Sequence, residues 1–228
     1  MTIRSFPEIF DQAIDQPIVS KILLWIAVAF AAGLGLSMLS YPVHAAPSSG
    51  GDTVQGLYDA LLSTMKNGWT LGQSGCFTQL EPVIRRSFDI ASMARLSVGP
   101  SWSSLTDAQR QQMTESYGRY ISAIYADRFD GYAGQRFEVM GAQPVPAGVM
   151  VKSQITKANG EPVKVDYLMR RSSDSWLISD IYVDGAISEV AMRRSEFAAI
   201  VKNEGIPGLI TALNRRADLL TGTTASAL

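Results

Sequence analysis

The spacing of apolar residues changes once along the chain, near Gly134, and this change constrains the fold more than any other feature. Before it, apolar residues recur every three or four positions, as in amphipathic helices; after it, they alternate at every second position, as in strands. Helical spacing then returns near the C-terminus. Helices, a sheet and further helices predict an α+β fold built on a four-stranded antiparallel meander. The predicted strands are 135–141, 149–157, 162–171 and 175–184.

The longest predicted helix runs over residues 105–132. It begins with a capping box, in which Thr106 and Gln109 each satisfy a backbone N–H group of the first turn. Its apolar stripe contains three tyrosines, whose hydroxyl groups need partners when buried. The stripe is therefore predicted to line a cavity as well as to fill a core. The other predicted helices are 52–66, 77–88, 90–96, 186–203 and 209–220, with 67–75 as a loop.

The N-terminal residues have the pattern of an export segment. An uncharged apolar run, 22–39, follows Lys21 and leads to small residues ending at Ala45, which predicts a signal peptide over 1–45. The run is also close to the ~20 residues that span a bilayer, so an uncleaved anchor is the alternative. Both interpretations place the rest of the chain outside the cytoplasm. The remaining parts are a linker (46–51), the folded domain (52–220) and a disordered tail (221–228).

Missing residue types exclude several classes of function. The only histidine, His44, lies in the export segment, and Cys76 is the only cysteine. Histidine bases, Ser-His-Asp and Cys-His systems, intrachain disulfides and nearly all zinc sites are thereby removed. Without residues 1–45, Lys and Arg fall from 20 to 18 and Asp and Glu from 21 to 18. We expect no metal, cofactor or nucleic-acid partner, and Cys76 is predicted to be a structural thiol.

Seven segments spread over nearly all of residues 52–220 carry a family resemblance. They are FDIASMARLSVGPSW (88–102), DAQR (107–110), IYADRFDGYAGQRFEV (124–139), GEPVKVDYLMR (160–170), WLISDIYVDGAISE (176–189), RRSEFAAIV (193–201) and GLITALN (208–214). Their order and spacing resemble those of the MlaC-like (toluene-tolerance) proteins, which carry lipids across the periplasm. VGPSWSSLT, RFDGY and GAISEVAMRRSEF are most similar to the hopanoid-associated HpnM branch. The broader phospholipid carriers tend to have an arginine where this chain has Ser103.

The resemblance implies a periplasmic, non-enzymatic carrier in which helices and a curved sheet enclose an apolar pocket. Its ligand would be a hopanoid or a related membrane lipid, carried between the inner and outer membranes. The implied docking partner is an inner-membrane RND-type transporter, and membrane contact would be transient or through the N-terminal segment. Three alternatives stay open: a broad-family phospholipid carrier, a membrane-tethered adaptor without a ligand, and an isomerase-like enzyme. The enzyme would use Asp180 with Tyr167 or Tyr182.

The predicted lipid-binding residues come from four parts of the chain. Those before and on the long helix are Phe88, Met93, Leu96, Met113, Tyr117, Tyr120, Ile121, Ile124, Tyr125 and Tyr132. Those on the sheet are Val165, Tyr167, Met169, Trp176, Ile178 and Tyr182. A lid, with Gly205 and Gly208 as hinges, is predicted from Ile206, Leu209 and Ile210.

Three acidic residues near the predicted pocket also need an explanation. Trp176, Ile178 and Tyr182 are predicted to share one face of the fourth strand, with Asp180 between them. We predict that Asp180 forms an ion pair with an arginine, such as Arg95; the alternative is a place at the pocket mouth, bound to a headgroup hydroxyl. The two remaining acids are expected to be exposed or capping residues, namely Asp166 and Asp184.

Overall fold

The computed structural model describes residues 49–185 and 187–223. The predicted export segment, with its apolar run 22–39, and residues 224–228 of the predicted tail lie outside this range. Within the described residues, no helix is long and apolar enough to cross a membrane.

The described chain contains four α-helices and one antiparallel sheet, which confirms the α+β prediction. The helices are α1 (Gly50–Ser87), α2 (Ile90–Val98), α3 (Asp107–Arg128) and α4 (Glu189–Thr221), with a 3-10 helix at Gly99–Ser104. The strands are β1 (Arg136–Val145), β2 (Gly148–Thr156), β3 (Pro162–Ser172), β4 (Ser175–Val183) and β5 (Ile187–Ser188). Strand order follows the sequence, β1 to β5, as predicted for a meander.

The sheet has five strands where four were predicted. The fifth, β5, forms because the chain reverses after β4 through Asp184 and Gly185, which have φ angles of 50° and 76°. Two pairs then join the strands, Tyr182 with Ser188 and Val183 with Ile187. A strand of two residues carries too little alternation to be recognised in a sequence.

The predicted loop at 67–75 is wrong, because α1 continues through it as a kinked helix. Only Gly72 leaves helical geometry there, with φ 62° and ψ 177°, a conformation essentially confined to glycine. Gly68 has a packing role, since a Cβ at this position would lie 1.6 Å from the carbonyl oxygen of Asp130. Tertiary packing thus overrides the low helix propensity of these glycines.

The two helices predicted at 186–203 and 209–220 are likewise parts of one kinked helix, α4. Its kink is at Gly205, with φ 68° and ψ −172°, almost the geometry of Gly72. Pro207 follows two residues later, where it occupies an early position of the second segment. The predicted boundary was therefore correct in position, but the break is a single residue.

A bulge in β4 overturns the prediction that its aromatic residues share a face with Asp180. Met169 pairs with Ile178 and Leu168 with Asp180, which leaves Ser179 as an extra residue. A one-residue shift moves all later side chains to the opposite face of a sheet. Asp180 and Tyr182 therefore lie on the outer face of the sheet, opposite to Ile178 and Tyr167.

Candidate functional site

Six aromatic residues form an unbroken series of ring contacts between the helices and the inner face of the sheet. Successive ring centroids lie 5.0–5.9 Å apart, within the range of favourable aromatic pairs. The series joins α1, α3, β1 and β3 with the residues that directly follow α1 and α3. We call this set the aromatic wall; in order of contact it is Phe88, Tyr125, Phe129, Phe137, Tyr58 and Tyr167.

The Tyr58 hydroxyl is part of a neutral hydrogen-bond chain within the wall. It lies 2.6 Å from the Ser153 hydroxyl, which donates in turn to the carbonyl oxygen of Val165. Tyr58 is therefore the donor to Ser153. Burial raises the pKa of Tyr58 to about 12, and the bond to Ser153 offsets this only in part. The wall is thus a desolvated surface whose polar groups carry no charge at neutral pH.

Aliphatic side chains continue this apolar surface along the inner face of the sheet. Val151, Val165, Met169 and Ile178 are each at most 1% exposed. The start of α1 approaches them closely, because a Cβ on Gly50 would lie 3.0 Å from Cγ of Met169. Such a surface offers dispersion contacts and a few hydroxyl groups, which suits an apolar ligand.

The first half of the α3 stripe packs in a different place. Tyr117 accepts a 3.4 Å hydrogen bond from Ser97 of α2, and its ring meets Phe197 of α4 at 6.3 Å. The Tyr120 ring lies 5.3 Å from the Arg193 guanidinium of α4. These predicted lipid-binding tyrosines therefore lie among three helices, whereas Tyr125 belongs to the aromatic wall. We call this region between α2, α3 and α4 the helix–helix core.

A buried ion pair lies at the centre of the helix–helix core. Arg193 and Glu189 are 2% and 3% exposed, and their charged atoms lie 2.7 Å apart. Glu196 lies 2.7 Å from Arg193 on the partly exposed side. Burial raises the pKa of Glu189 and outweighs the opposing effect of Arg193. A buried charge of this kind depends on its partner for compensation.

The predicted ion pair between Asp180 and Arg95 is wrong. Asp180 accepts hydrogen bonds from the Ser188 hydroxyl at 2.6 Å and from the backbone N–H of Val190 at 3.1 Å. It therefore caps the N-terminus of α4, where backbone N–H groups lack helical partners. Asp180 and Tyr167 lie on opposite faces, so they do not form the acid–base pair of the isomerase-like alternative. Tyr182, its other predicted partner, lies on the same face as Asp180 and is hydrogen-bonded to it.

The other two acids have separate outcomes. Asp166 was expected to be exposed or capping, but it is 6% exposed and lies 2.5 Å from Nζ of Lys152 on the neighbouring strand. That prediction was wrong because the outer face of the sheet buries this position. Asp184 is exposed, as expected, in the turn before β5.

Most of the remaining predicted site residues are buried, and Tyr132 is the main exception. Its ring is 45% exposed, lies 5.5 Å from Nζ of Lys66, and borders a surface cleft of about 620 Å³ beside Trp69. Residues at intermediate exposure are Leu96, Trp176 and Tyr182. The buried ones are Met93, Met113, Ile121, Ile124, Ile206, Leu209 and Ile210. Cys76 is buried, and burial raises the pKa of its thiol.

The second half of α4, which contains the predicted lid residues Ile206, Leu209 and Ile210, is held along α3 by polar contacts. Arg119 lies 2.5 Å from the Asp218 carboxylate, and Asn214 donates to Ser116 at 3.1 Å. Arg119 also donates to the carbonyl oxygen of Asn214 at 3.3 Å. Opening of this segment about Gly205 requires that these contacts break.

Half of the aromatic wall was not among the predicted site residues, namely Tyr58, Phe129 and Phe137. Tyr58 follows Val54 by four residues and precedes Leu61 by three, so helical spacing already placed it on the buried stripe of α1. Phe137 belongs to the alternating pattern of β1. Phe129 lies one turn after Tyr125. The signals were present, but their mutual contact depends on how α1 and α3 cross the sheet.

Comparison with known families agrees with this architecture. The family model described as MlaC protein matches residues 55–215, more than half of the chain. The chain belongs to the MlaC family. A solved structure of a phospholipid-binding protein from Ralstonia solanacearum, in complex with a phospholipid, aligns with a TM-score of 0.66 and 24% sequence identity. The alignment covers 76% of this chain and 99% of the Ralstonia protein, and it shows a shared fold.

Proposed function

We propose that this MlaC-family protein is a periplasmic lipid carrier that holds the apolar part of its ligand against the aromatic wall and the inner face of the sheet. One observation carries the proposal: a protein with the same fold, aligned over 99% of its length, was solved in complex with a phospholipid. The desolvated, uncharged character of the wall supports it. The protein acts by binding and transport rather than by catalysis.

The aromatic wall and the inner face of the sheet together form the region that we call the helix–sheet interface. The energy needed to withdraw a lipid from a membrane favours this region as the binding site. Withdrawing an acyl chain from a membrane costs about 0.8 kcal/mol per exposed CH₂, so a 16-carbon tail needs about 13 kcal/mol of replacement burial. The aromatic wall and the valines of β2 and β3 offer apolar area of this kind. In the helix–helix core, a tail would instead displace contacts around the Arg193–Glu189 ion pair, which is costly to disturb.

We propose a hopanoid as the preferred ligand, with a phospholipid as the alternative. The segments VGPSWSSLT, RFDGY and GAISEVAMRRSEF support this choice through their similarity to the hopanoid-associated branch. A rigid polycyclic ligand also matches flat aromatic surfaces such as Phe137 and Tyr167. We further propose that an RND-type inner-membrane transporter exchanges the lipid with this carrier. Ile206, Leu209 and Ile210 then form the lid, and α4 bends at Gly205.

Native mass spectrometry of the purified protein, followed by extraction and identification of its ligand, tests the proposal. We expect one bound lipid per chain, with a hopanoid as the main species. Phospholipid without hopanoid would exclude the preferred ligand but retain the carrier. Absence of any lipid from protein isolated under non-denaturing conditions would contradict the carrier function.

A pair of matched variants locates the ligand. Val151→Trp adds bulk to the inner face of the sheet, and Val98→Trp adds the same bulk at the buried end of α2. Both overpacked variants are expected to lose about 1–3 kcal/mol of stability. Only Val151→Trp is expected to lose bound lipid. Equal lipid loss in both variants would argue against the helix–sheet site.

A further inference from the structure

A second cleft, away from the aromatic wall, lies where α2 passes into the 3-10 helix and meets α4. Its volume is about 450 Å³. We propose that this cleft is an anion site, which binds a phosphate group between the guanidinium groups of Arg95 and Arg194. The lining residues are Arg95, Leu96, Gly99, Pro100, Trp102, Ser103 and Arg194.

The charge of the cleft is the first observation that supports an anion. Arg95 and Arg194 are both exposed, and neither side chain takes part in a hydrogen bond or ion pair within residues 49–185 and 187–223. By contrast, Arg85 and Arg119 each bind a carboxylate at 3.0 Å or less. The lining includes no acidic residue. Two positive charges therefore face one concavity of a chain whose net charge is close to zero.

The position of Arg194 depends on a glycine. Gly99 has a φ of 70°, and a Cβ there would lie 2.8 Å from Nε of Arg194. The guanidinium group therefore lies directly over the Gly99 backbone, in a space that any other residue would fill. Planar guanidinium groups donate paired hydrogen bonds that match the oxygens of phosphate. Two of them in the lining of one cleft suit a tetrahedral oxyanion.

The rest of the lining suits an organic phosphate. Trp102, Leu96 and Pro100 give the cleft apolar walls beside the two arginines. The Ser103 hydroxyl is already bound to the carbonyl oxygen of Pro100 at 2.9 Å. An apolar substituent on the phosphate would lie against Trp102. The recognised chemistry is thus a phosphate group, and its source is either a lipid headgroup or free phosphate.

Isothermal titration calorimetry of the purified protein tests the site with two probes at fixed ionic strength, inorganic phosphate and dihexanoyl phosphatidylglycerol below its micelle concentration. We expect Arg95→Gln and Arg194→Gln each to weaken binding about tenfold or more. Arg194→Lys keeps the charge but loses the planar fork, so intermediate binding is expected. Arg215→Gln, at an exposed arginine of α4 outside the cleft, is the matched control and is expected to bind as the wild type does.

The two probes identify the source of the phosphate. Arginine-dependent binding of inorganic phosphate supports a site for the phosphate group itself, and arginine-dependent binding of the short-chain lipid alone supports a headgroup site. Binding of neither probe, or equal binding by the wild type and the Arg95→Gln/Arg194→Gln double variant, would overturn the proposal and leave the arginines as partners of the α2 C-terminus or of an acidic protein. Thermal melts of each variant test whether unfolding, rather than loss of the guanidinium group, causes any weakened binding. Binding of inorganic phosphate does not require a lipid pocket. The outcome for the anion site can therefore be distinguished from the outcome for the proposed lipid carriage.

Discussion

The helix–sheet interface and the helix–helix core are both buried, but they are built from different chemistry. The interface is lined by aromatic and aliphatic side chains whose few polar groups are neutral hydroxyls. The core contains the Arg193–Glu189 ion pair and the ring of Tyr120 beneath it. A charge pair needs its partner in one geometry, whereas apolar contacts can be exchanged for those of a ligand. We therefore propose that the core fixes the helices and that the interface accommodates lipid.

The largest expected effect is in the helix–helix core. Arg193→Leu leaves Glu189 buried without its partner, so we expect the free energy of unfolding to fall by about 3–5 kcal/mol. Urea denaturation at neutral pH measures it. Arg194→Leu is the control, because this neighbouring side chain is exposed and its loss should change stability by about 0.5 kcal/mol or less. Similar losses for the two variants would mean that the buried pair does not fix the core.

The two kinks give the next largest effect. Gly72→Ala and Gly205→Ala place a Cβ in a glycine-only conformation, at an expected cost of about 1–3 kcal/mol each. Gly56→Ala, at a helical position of α1 with open space around its Cβ, should instead gain about 0.5–1 kcal/mol. Thermal and urea unfolding compare the three. If Gly205→Ala were as stable as the wild type, the kink at Gly205 would not require a glycine. This result would contradict the proposed hinge of the lid.

Alkaline pH is expected to weaken the helix–sheet interface. Burial raises the pKa of Tyr58 in the folded state to about 12, above the ordinary tyrosine value of 10.0, so the unfolded state loses this proton first as pH rises. Stability from this group is complete below pH 10 and falls by about 1.4 kcal/mol per pH unit as pH rises toward 12. Unfolding free energies from pH 9 to 12 should show a shallower decline for Tyr58→Phe.

Tyr132→Phe is the control for the alkaline experiment, because its side chain is 45% exposed. It should leave the slope of the wild type unchanged. A decline that is identical in Tyr58→Phe and in the wild type would show that Tyr58 is not buried in the folded protein.

The smallest effect concerns the Asp180 cap, which connects the sheet to α4. Asp180→Asn weakens hydrogen bonds to Ser188 and Val190, so we expect a loss of about 1 kcal/mol. Bound lipid should be unchanged. The exposed Asp184→Asn is the control and should be neutral. Loss of bound lipid without loss of stability in Asp180→Asn would restore a headgroup role for this residue.

Regular patterns in the sequence predicted much of the fold. The α+β class, the meander and the capping box of Thr106 and Gln109 all follow from local spacing, and all are observed. The β4 bulge does not follow from spacing, because an extra residue at Ser179 leaves the composition of the strand unchanged while it reverses the face of Asp180. The structural role of a glycine is also ambiguous in a sequence, because it depends on what packs against it in the fold. Gly68 indicates a loop in the sequence, but in the fold it allows close approach to Asp130.

The candidate site was predictable in its residue types but not in its arrangement. Tyr117 and Tyr125 share one helical stripe, and only the crossing of α3 over the other helices sends them to different regions. Long-range contacts of this kind cannot be predicted from the local spacing of residues in a single sequence. The role of each buried residue in lipid binding stays a prediction.

Photo-crosslinking tests most directly whether the helix–sheet interface holds the lipid. The purified protein is loaded with a lipid that carries a diazirine in its apolar part, irradiated, digested and mapped by peptide mass spectrometry. We predict adducts on the aromatic wall and the inner face of the sheet, at residues such as Tyr58, Phe137 and Tyr167. Adducts concentrated instead at Tyr117 and Phe197, in the helix–helix core, would contradict this assignment.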